Sequence, residues 1–486
     1  MVYCYLIKME KDSNENWLSP HKPYSIAHRG ASAYYQENTI ESFFFAAKIG
    51  ADFWEVDVQI TKDKHLIVFH DSILDTGENI INLYLQEIRT KLPINTAPLF
   101  EDVLKLAIKL NIGIYLDIKA RYVSNLLIKL LKKYNYQRVI IGSFNIELIK
   151  ELKKLDSSYP YAILVPSGFN PFEYAESADI IHLCWEKLEN PEKLLDDNFF
   201  QKCEKKNQKV VIWHEENPER MKILRNLPVL GICSNQPELV NPIFKNNSEW
   251  PVEVVCHRGL NSLAPENSLA STLLALSFGF SHVEIDIRTT ADKKLIINHD
   301  STFNRTSNYK GYVNQTLSSS LDKIEIGKKF NSDFTNQQIP KLEEILEIVE
   351  LYNGNLYAEI KDGKVDDVIN TINKFNYLEK CFFWSENKNI MMDIINFNPN
   401  LNYMLRRQDF DTLNEIIENY NPKIIEYTLR DKLEELNILK QKNIKSMIAY
   451  MGNDEKVLKK IIQLKTDYVN LDQPILFSSF YSKEYG

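Results

Sequence analysis

His28 and His70 in the first half of this 486-residue chain, and His257 and His299 in the second, each close a short apolar run. An imidazole changes charge near neutral pH, so such a pair can divide the roles of general acid and general base. Between the histidines lie Glu55 and Asp57, and in the second half Glu284 and Asp286. Side chains at i and i+2 of a strand share a face, so each Glu-x-Asp presents two carboxylates side by side. These repel unless a cation separates them, and two or three carboxylates with water are the usual cage for Mg²⁺ or Ca²⁺, with Mn²⁺ also admitted. Asp117 and Glu359, at the end of a later strand, are placed to supply a third ligand. Lys119 and Lys361 follow two residues on along the same face, and Arg29 and Arg258 follow the first histidine, so each set gathers cations able to hold a phosphate. Hydrolysis of a phosphodiester would use all of these parts.

Each signal has a plainer alternative, since a strand-end histidine is commonly scaffolding and a Glu-x-Asp pair is commonly solvated. Their repetition decides against both. His28-Arg29-Gly30 returns as His257-Arg258-Gly259, Glu37-Asn38 as Glu266-Asn267, Glu55-x-Asp57 as Glu284-x-Asp286 and His70-Asp71 as His299-Asp300, every pair 229 positions apart. Pro98 and Asp117-Ile-Lys119 answer to Pro340 and Glu359-Ile-Lys361 at 242, so the second copy carries a 13-residue insertion after its second histidine. Asn235-Gln-Pro237 matches Asp472-Gln-Pro474 at 237. A whole unit is therefore duplicated. The expected division is an N-terminal extension over 1–23, copy 1 over 24–240, a polar linker over 241–252 and copy 2 over 253–486.

The elements that must position these residues follow from the apolar pattern. In copy 1 strands are expected at Ser25–Ala27, Phe53–Ile60, Ile112–Ile118, Val139–Gly142, Tyr161–Val165, Ile180–Leu183, Val210–Trp213 and Leu230–Cys233, alternating with longer amphipathic stretches. Eight such βα units make a (β/α)8 TIM barrel, whose strand C-termini carry the site. A further strand, Leu66–His70, follows the second too closely for a parallel crossover and must return as a hairpin, bringing His70 to the rim; Leu295–His299 repeats this. The fold class is α/β, two tandem (β/α)8 barrels.

Bulk properties agree with two packed domains that bind a small molecule. The chain is 44% hydrophobic and 26% charged, with a formal charge of −8 and a pI near 5.7. That offers no broad cationic field for nucleic acid or anionic membrane. Six widely spaced cysteines show no zinc pattern and suit reduced, buried thiols. No secretory signal is visible in Met1 to Trp17, and no run is apolar enough to span a membrane, so a cytoplasmic protein is expected.

These motifs resemble the glycerophosphodiester phosphodiesterase family, over nearly the whole chain and twice. Copy 2 is the closer match, with Ala264-Pro265-Glu266-Asn267-Ser268, His299-Asp300 followed by Asn304-Arg305-Thr306, and Ile339-Pro340 leading to Leu346. The resemblance implies a PLC-like phosphodiesterase barrel that releases an alcohol and glycerol 3-phosphate from glycerophosphodiesters. It makes His257, His299, His28 and His70 the acid–base groups, and Glu284, Asp286, Glu359, Glu55, Asp57 and Asp117 the metal ligands. Arg258, Lys361, Arg29 and Lys119 would hold the phosphate, while Glu266, Asn267, Arg305, Tyr450, Glu37, Asn38 and Trp213 would line the substrate pocket.

The copies depart from the pattern in ways that point to copy 2 as the active one. Copy 1 has Asp117 in place of glutamate, drawing the carboxylate back by roughly 1.5 Å, and it lacks both the Asn-Arg-Thr segment and the insertion. In copy 2 the strand ending Ala449-Tyr450 is matched to Trp213, with tyrosine for tryptophan. Alternatives left open are a lysophospholipase D or sphingomyelinase D-like activity, and copy 1 as a scaffold or phosphate-binding module. His182 and His214 lie near strand ends of copy 1 and could reach its mouth; His21, His65 and His282 are expected to be structural.

Overall fold

The computed structural model describes residues 17–185, 188, 190–331, 334, 337–398 and 400–485. Residues 1–16 of the expected N-terminal extension, with Cys4, lie outside the described residues. The chain forms two compact units, the first ending at Asn241 and the second beginning at Pro242.

In the first unit β1 (Tyr24–Ala27), β2 (Phe53–Ile60), β3 (Leu66–Val68), β4 (Gly113–Ile118), β5 (Val139–Ser143), β6 (Tyr161–Val165), β7 (Ile180–Cys184), β8 (Lys209–Trp213) and β9 (Gly231–Ser234) alternate with helices. Eight of them run in parallel in the order β1-β9-β8-β7-β6-β5-β4-β2, and pairing of β1 with β2 closes the ring. The barrel strands match the expected spans to within one residue at each end. β3 is the antiparallel outlier, with Val58 opposite Val68. It stops two residues short of the expected His70, although the Phe69 N–H still donates to the Asp57 carbonyl opposite it at 3.1 Å.

Alternation along the strands sorts the side chains. Ile26, Phe53, Tyr115, Leu164, Val211 and Cys233 pack inside the ring as one buried cluster. The intervening residues face the helices. Burial of this order stabilises by about 1.5–3 kcal/mol per large apolar side chain, so the charged residues near the strand ends sit on a rigid frame.

The second unit repeats the design with β10 (Glu253–Cys256), β11 (His282–Thr289), β12 (Leu295–Ile297), β13 (Asn355–Ile360), β14 (Cys381–Trp384), β15 (Met404–Arg406), β16 (Ile424–Tyr427), β17 (Lys445–Tyr450) and β18 (Tyr468–Leu471). The order β14-β13-β11-β10-β18-β17-β16-β15 is completed by a parallel bridge between Phe383 and Tyr403. The connection after the hairpin is packed in both copies: Phe303, Val313, Leu321, Ile324 and Ile339 form a satellite core with Ile296, as Leu74, Ile80, Leu83, Leu85, Ile88 and Ala97 do with Ile67 in the first unit. The stretch after Asn241 packs on this second unit: Phe244 stacks on Phe280 at 5.3 Å, and Trp250 donates to the Thr466 carbonyl at 2.9 Å.

The five described cysteines are buried thiols outside any disulfide. Among the described residues, no helix is long and apolar enough to cross a membrane.

Candidate metal and phosphate site

The turn after the first strand shapes each site. Arg29 and Gly30 adopt φ of 56° and 84°, and Arg258 and Gly259 adopt 56° and 75°. A Cβ on Gly259 would come within 2.8 Å of the Ser271 carbonyl carbon, and one on Gly30 equally close to that of Ser42. Glycine alone lets the turn press on the following helix. The turn aims the Arg29 N–H at Glu55 Oε2 (3.0 Å) and the Arg258 N–H at Glu284 Oε2 (2.6 Å).

The carboxylates converge as the strand register requires. Asp57 is the Cα partner of Asp117, and Asp286 that of Glu359. In each barrel the three acids, Glu55, Asp57 and Asp117 or Glu284, Asp286 and Glu359, are buried and offer oxygens within 4.8 Å of one another. The shorter Asp117 therefore still reaches the cluster. Asn38 and Asn267 are buried beneath it, each donating its amide to the central aspartate at 2.8 Å. Glu55 Oε1, Asp117 Oδ1 and Glu284 Oε1 are buried without a hydrogen-bond partner. Acceptor oxygens held together, buried and unsatisfied, fit a hard divalent cation.

The cations named from the sequence lie on these acids. Lys119 bridges Asp57 (3.0 Å) and Asp117, and Lys361 bridges Asp286 (3.2 Å) and Glu359. Arg29 Nε lies 3.2 Å from Asp57 and its Nη1 3.0 Å from Glu37; Arg258 spans Asp286 (3.3 Å) and Glu266 (3.0 Å) in the same way. Burial raises the carboxyls of Glu55 and Glu284 well above the usual range, and brings Asp117 to about 6 and Glu359 to about 7. Burial pushes Asp57 and Asp286 the same way, but the adjacent lysine and arginine outweigh it and hold both below the usual value.

The hairpins deliver the second histidine beside the central aspartate. Phe69 and Asn298 donate their N–H to the carbonyls of Asp57 (3.1 Å) and Asp286 (2.9 Å), and His70 and His299 follow. Each ring has Nδ1 on the next residue, Asp71 or Asp300, at 2.7 Å. In barrel 2 Arg305 fixes this aspartate, with Nε 2.9 Å from Asp300 and Nη1 2.7 Å from Glu266. The Arg305 hydrogen bond holds the Asp300 carboxyl down at about 2. Burial lowers His299.

The first histidines are held differently in the two barrels. His257 Nδ1 lies 2.7 Å from Asp472 Oδ1, whereas His28 Nδ1 lies 2.8 Å from Asn235 Oδ1. Asp472 and Asn235 were visible as parts of a repeated motif but received no role from the sequence. Their partners stand more than 200 residues away, so only the closed ring reveals the contact. His214 stacks on His28 at 4.8 Å and Trp213 meets it edge-on at 5.3 Å. Burial first, then Arg29 and His214, lower His28 to about 3. His182 also reaches the interior, its Nδ1 2.6 Å from the Tyr115 hydroxyl. His282 lies at the start of β11, His65 in the hairpin turn, and His21 is exposed.

The equation of Tyr450 with Trp213 is corrected by the register. Val211 is the Cα partner of His182 and of Gly231, and Met447 that of Glu426 and of Tyr468. Two residues on, Trp213 therefore answers to Ala449, and Tyr450 falls at the position of His214. The offset of 237 holds only beyond the loop to the last strand, which is one residue longer in copy 2. Tyr450 is half-buried, its hydroxyl accepting from the Asp454 N–H at 3.1 Å.

Acids that face imidazoles and cations at the strand ends of an eight-stranded parallel barrel belong with the phosphodiester-cleaving barrels. Comparison with known proteins gives the family. The glycerophosphoryl diester phosphodiesterase family matches residues 28–239 and again 257–484, and the chain belongs to it. A glycerophosphodiester phosphodiesterase of Caldanaerobacter subterraneus subsp. tengcongensis is 30% identical over 154 residues, 30% of this chain and 63% of that protein. The human lysophospholipase D GDPD1 is 31% identical over 184 residues, 33% of this chain and 56% of that protein. The chain thus spans less than two thirds of the length of these curated relatives. The crystal structure of glycerophosphodiester phosphodiesterase from Agrobacterium tumefaciens str. C58 aligns with 47% of this chain and 99% of its own at 28% identity, with a TM-score of 0.44.

Proposed function

We propose that the chain hydrolyses glycerophosphodiesters to an alcohol and glycerol 3-phosphate, and that barrel 2 carries the turnover. The contact between His257 and Asp472 at 2.7 Å carries this reading. A carboxylate on Nδ1 fixes the tautomer and stabilises the imidazolium, which leaves Nε2 to move a proton. Asn235 cannot offer His28 that charge, so barrel 1 is the slower site.

In barrel 2, Glu284, Asp286 and Glu359 would hold a divalent ion, which when bound supplies charge neutralisation at the phosphoryl group. Arg258 and Lys361, beside those acids, bind the phosphate oxygens and orient the ester. His257 and His299, each tied at Nδ1 to an aspartate, work through Nε2. One takes the proton of the attacking hydroxyl, from water or from the substrate's own glycerol, and the other protonates the departing alkoxide. Arg305 keeps Asp300 ionised, so His299 stays oriented.

The deciding experiment is glycerol 3-phosphate release by the full chain from a panel of glycerophosphodiesters, with and without EDTA. Loss of turnover on chelation and in His257→Ala and His299→Ala is expected, by about 10²–10⁴-fold for each histidine. Near-normal rates in both variants would overturn the reading.

A second reading, lysophospholipase D activity, is favoured for barrel 1 by solvated aromatics on the loops after β4 and β5, where Tyr122 is 75% and Phe144 41% exposed. With barrel 2 silenced, turnover of lysophosphatidylcholine exceeding that of glycerophosphocholine is expected; the reverse order removes this reading.

A further inference from the structure

The two barrels agree where ion, phosphate and proton-transfer groups are held, and they diverge along the rest of the inner wall. In register, Gly142, Leu164, His182, Trp213 and Cys233 of barrel 1 answer to Trp384, Arg406, Glu426, Ala449 and Asn470 of barrel 2. In barrel 1 the wall is filled: the Trp213 ring lies 5.1 Å from His182 and 5.9 Å from Phe144.

In barrel 2 the indole has crossed to the fourth barrel strand. There the Arg406 guanidinium lies 4.2 Å over the Trp384 ring, with its Nε held by Asp409 at 3.1 Å. Where barrel 1 has Trp213, barrel 2 offers only the Ala449 methyl. Ala449 is the Cα partner of Asn470 and stands two residues beyond Met447, the Cα partner of Glu426. Glu426 is 7% exposed. It interacts with Arg406, Asn470 and Glu359 on three other strands, which only an inward side chain can do.

Glu426 Oε2 and Asn470 Oδ1 are both buried without a hydrogen-bond partner. A buried, unpaired carboxylate oxygen is costly, and a second acceptor beside it adds to the deficit. What satisfies two acceptors is a donor-only group, and a cation would also hold the carboxylate ionised. A primary ammonium has three N–H groups and no acceptor.

We propose that Glu426, Ala449 and Asn470 form a subsite for the ammonium of an amino-alcohol leaving group, so that barrel 2 selects ethanolamine-type diesters, whereas barrel 1, with Trp213 in that place, does not. This rests on the diesterase reading given above, with the phosphate on Arg258 and Lys361 and the amine on the wall across the mouth.

The test uses the full chain with barrel 1 silenced by His28→Ala and His70→Ala. kcat/KM is measured for glycerophosphoethanolamine and for the same ester with its amine acetylated. The expected preference for the free amine is about tenfold or more, the scale of one charge-assisted contact in a desolvated site. Glu426→Gln should bring the ratio near one, chiefly through KM, and Asn470→Cys should lower it in the same direction; the second variant decides if the first does not fold. Equal turnover of the two esters, or a preference unchanged in both variants, overturns the subsite and leaves the diesterase reading intact. No turnover of either ester, nor of any other diester, removes the diesterase reading and the subsite with it.

Discussion

Asp472 and Asn235 occupy one position in the two repeats and differ by a single functional group, yet they set the two first histidines apart. Asp472→Asn should lower barrel 2 turnover by about tenfold to a hundredfold, the usual cost of losing a group that orients a working side chain. Because Asp472 acts through His257, the pH profile of kcat should move as well, which a purely structural loss would not produce. Asn235→Asp should raise turnover by barrel 1 with barrel 2 silenced; an unchanged rate there would show that burial alone limits His28. At this scale the sequence is legible wherever one residue type recurs at one spacing, as with His28 and His257 or Asp57 and Asp286. It is silent on Glu426, Arg406 and Ala449, which have no repeated counterpart and whose neighbours are set by register across the ring. The substitution at Trp213 was misread for the same reason: a one-residue slip between strands turns an inward position into its neighbour.

Among the elements, the turn after the first strand is tightly constrained. Arg258 and Gly259 at positive φ aim the Arg258 N–H at Glu284, and the Ser271 backbone closes off the space above Gly259. Gly259→Ala should cost about 1–3 kcal/mol from the strained φ and the clash, which for a unit of this size means roughly 2–4 °C in Tm per kcal/mol. Differential scanning calorimetry would read it directly. The strands themselves were legible because buried β-branched runs bounded by polar segments leave few other choices. Their ends were less so: β3 stops at Val68, two residues before the expected His70, although Phe69 still bonds across to the Asp57 carbonyl.

For the whole molecule, two barrels each enclosing a buried carboxylate triad should make stability depend on pH and on any divalent ion the triads hold. Burial raises Glu359 to about 7, above its unfolded value. Between those two values the native state holds a proton that the unfolded state lacks, so without metal stability falls as pH rises through that window. A divalent ion offsets the same charge. Mg²⁺ or Ca²⁺ should therefore raise Tm more at pH 8 than at pH 5.5, as read by thermal unfolding with and without EDTA; an equal shift at both values would contradict the burial of Glu359 next to the ion. The duplication was legible from one dimension because both copies keep their spacing, whereas the satellite core that follows each hairpin was not, since its apolar residues lie in short turns without a clear period.

The ammonium of Lys361 lies against Asp286 and Glu359, and that of Lys119 against Asp57 and Asp117. An ion held by either triad would share its oxygens with an amine. Its affinity would therefore be set by competition with the lysine as well as by the carboxylates themselves.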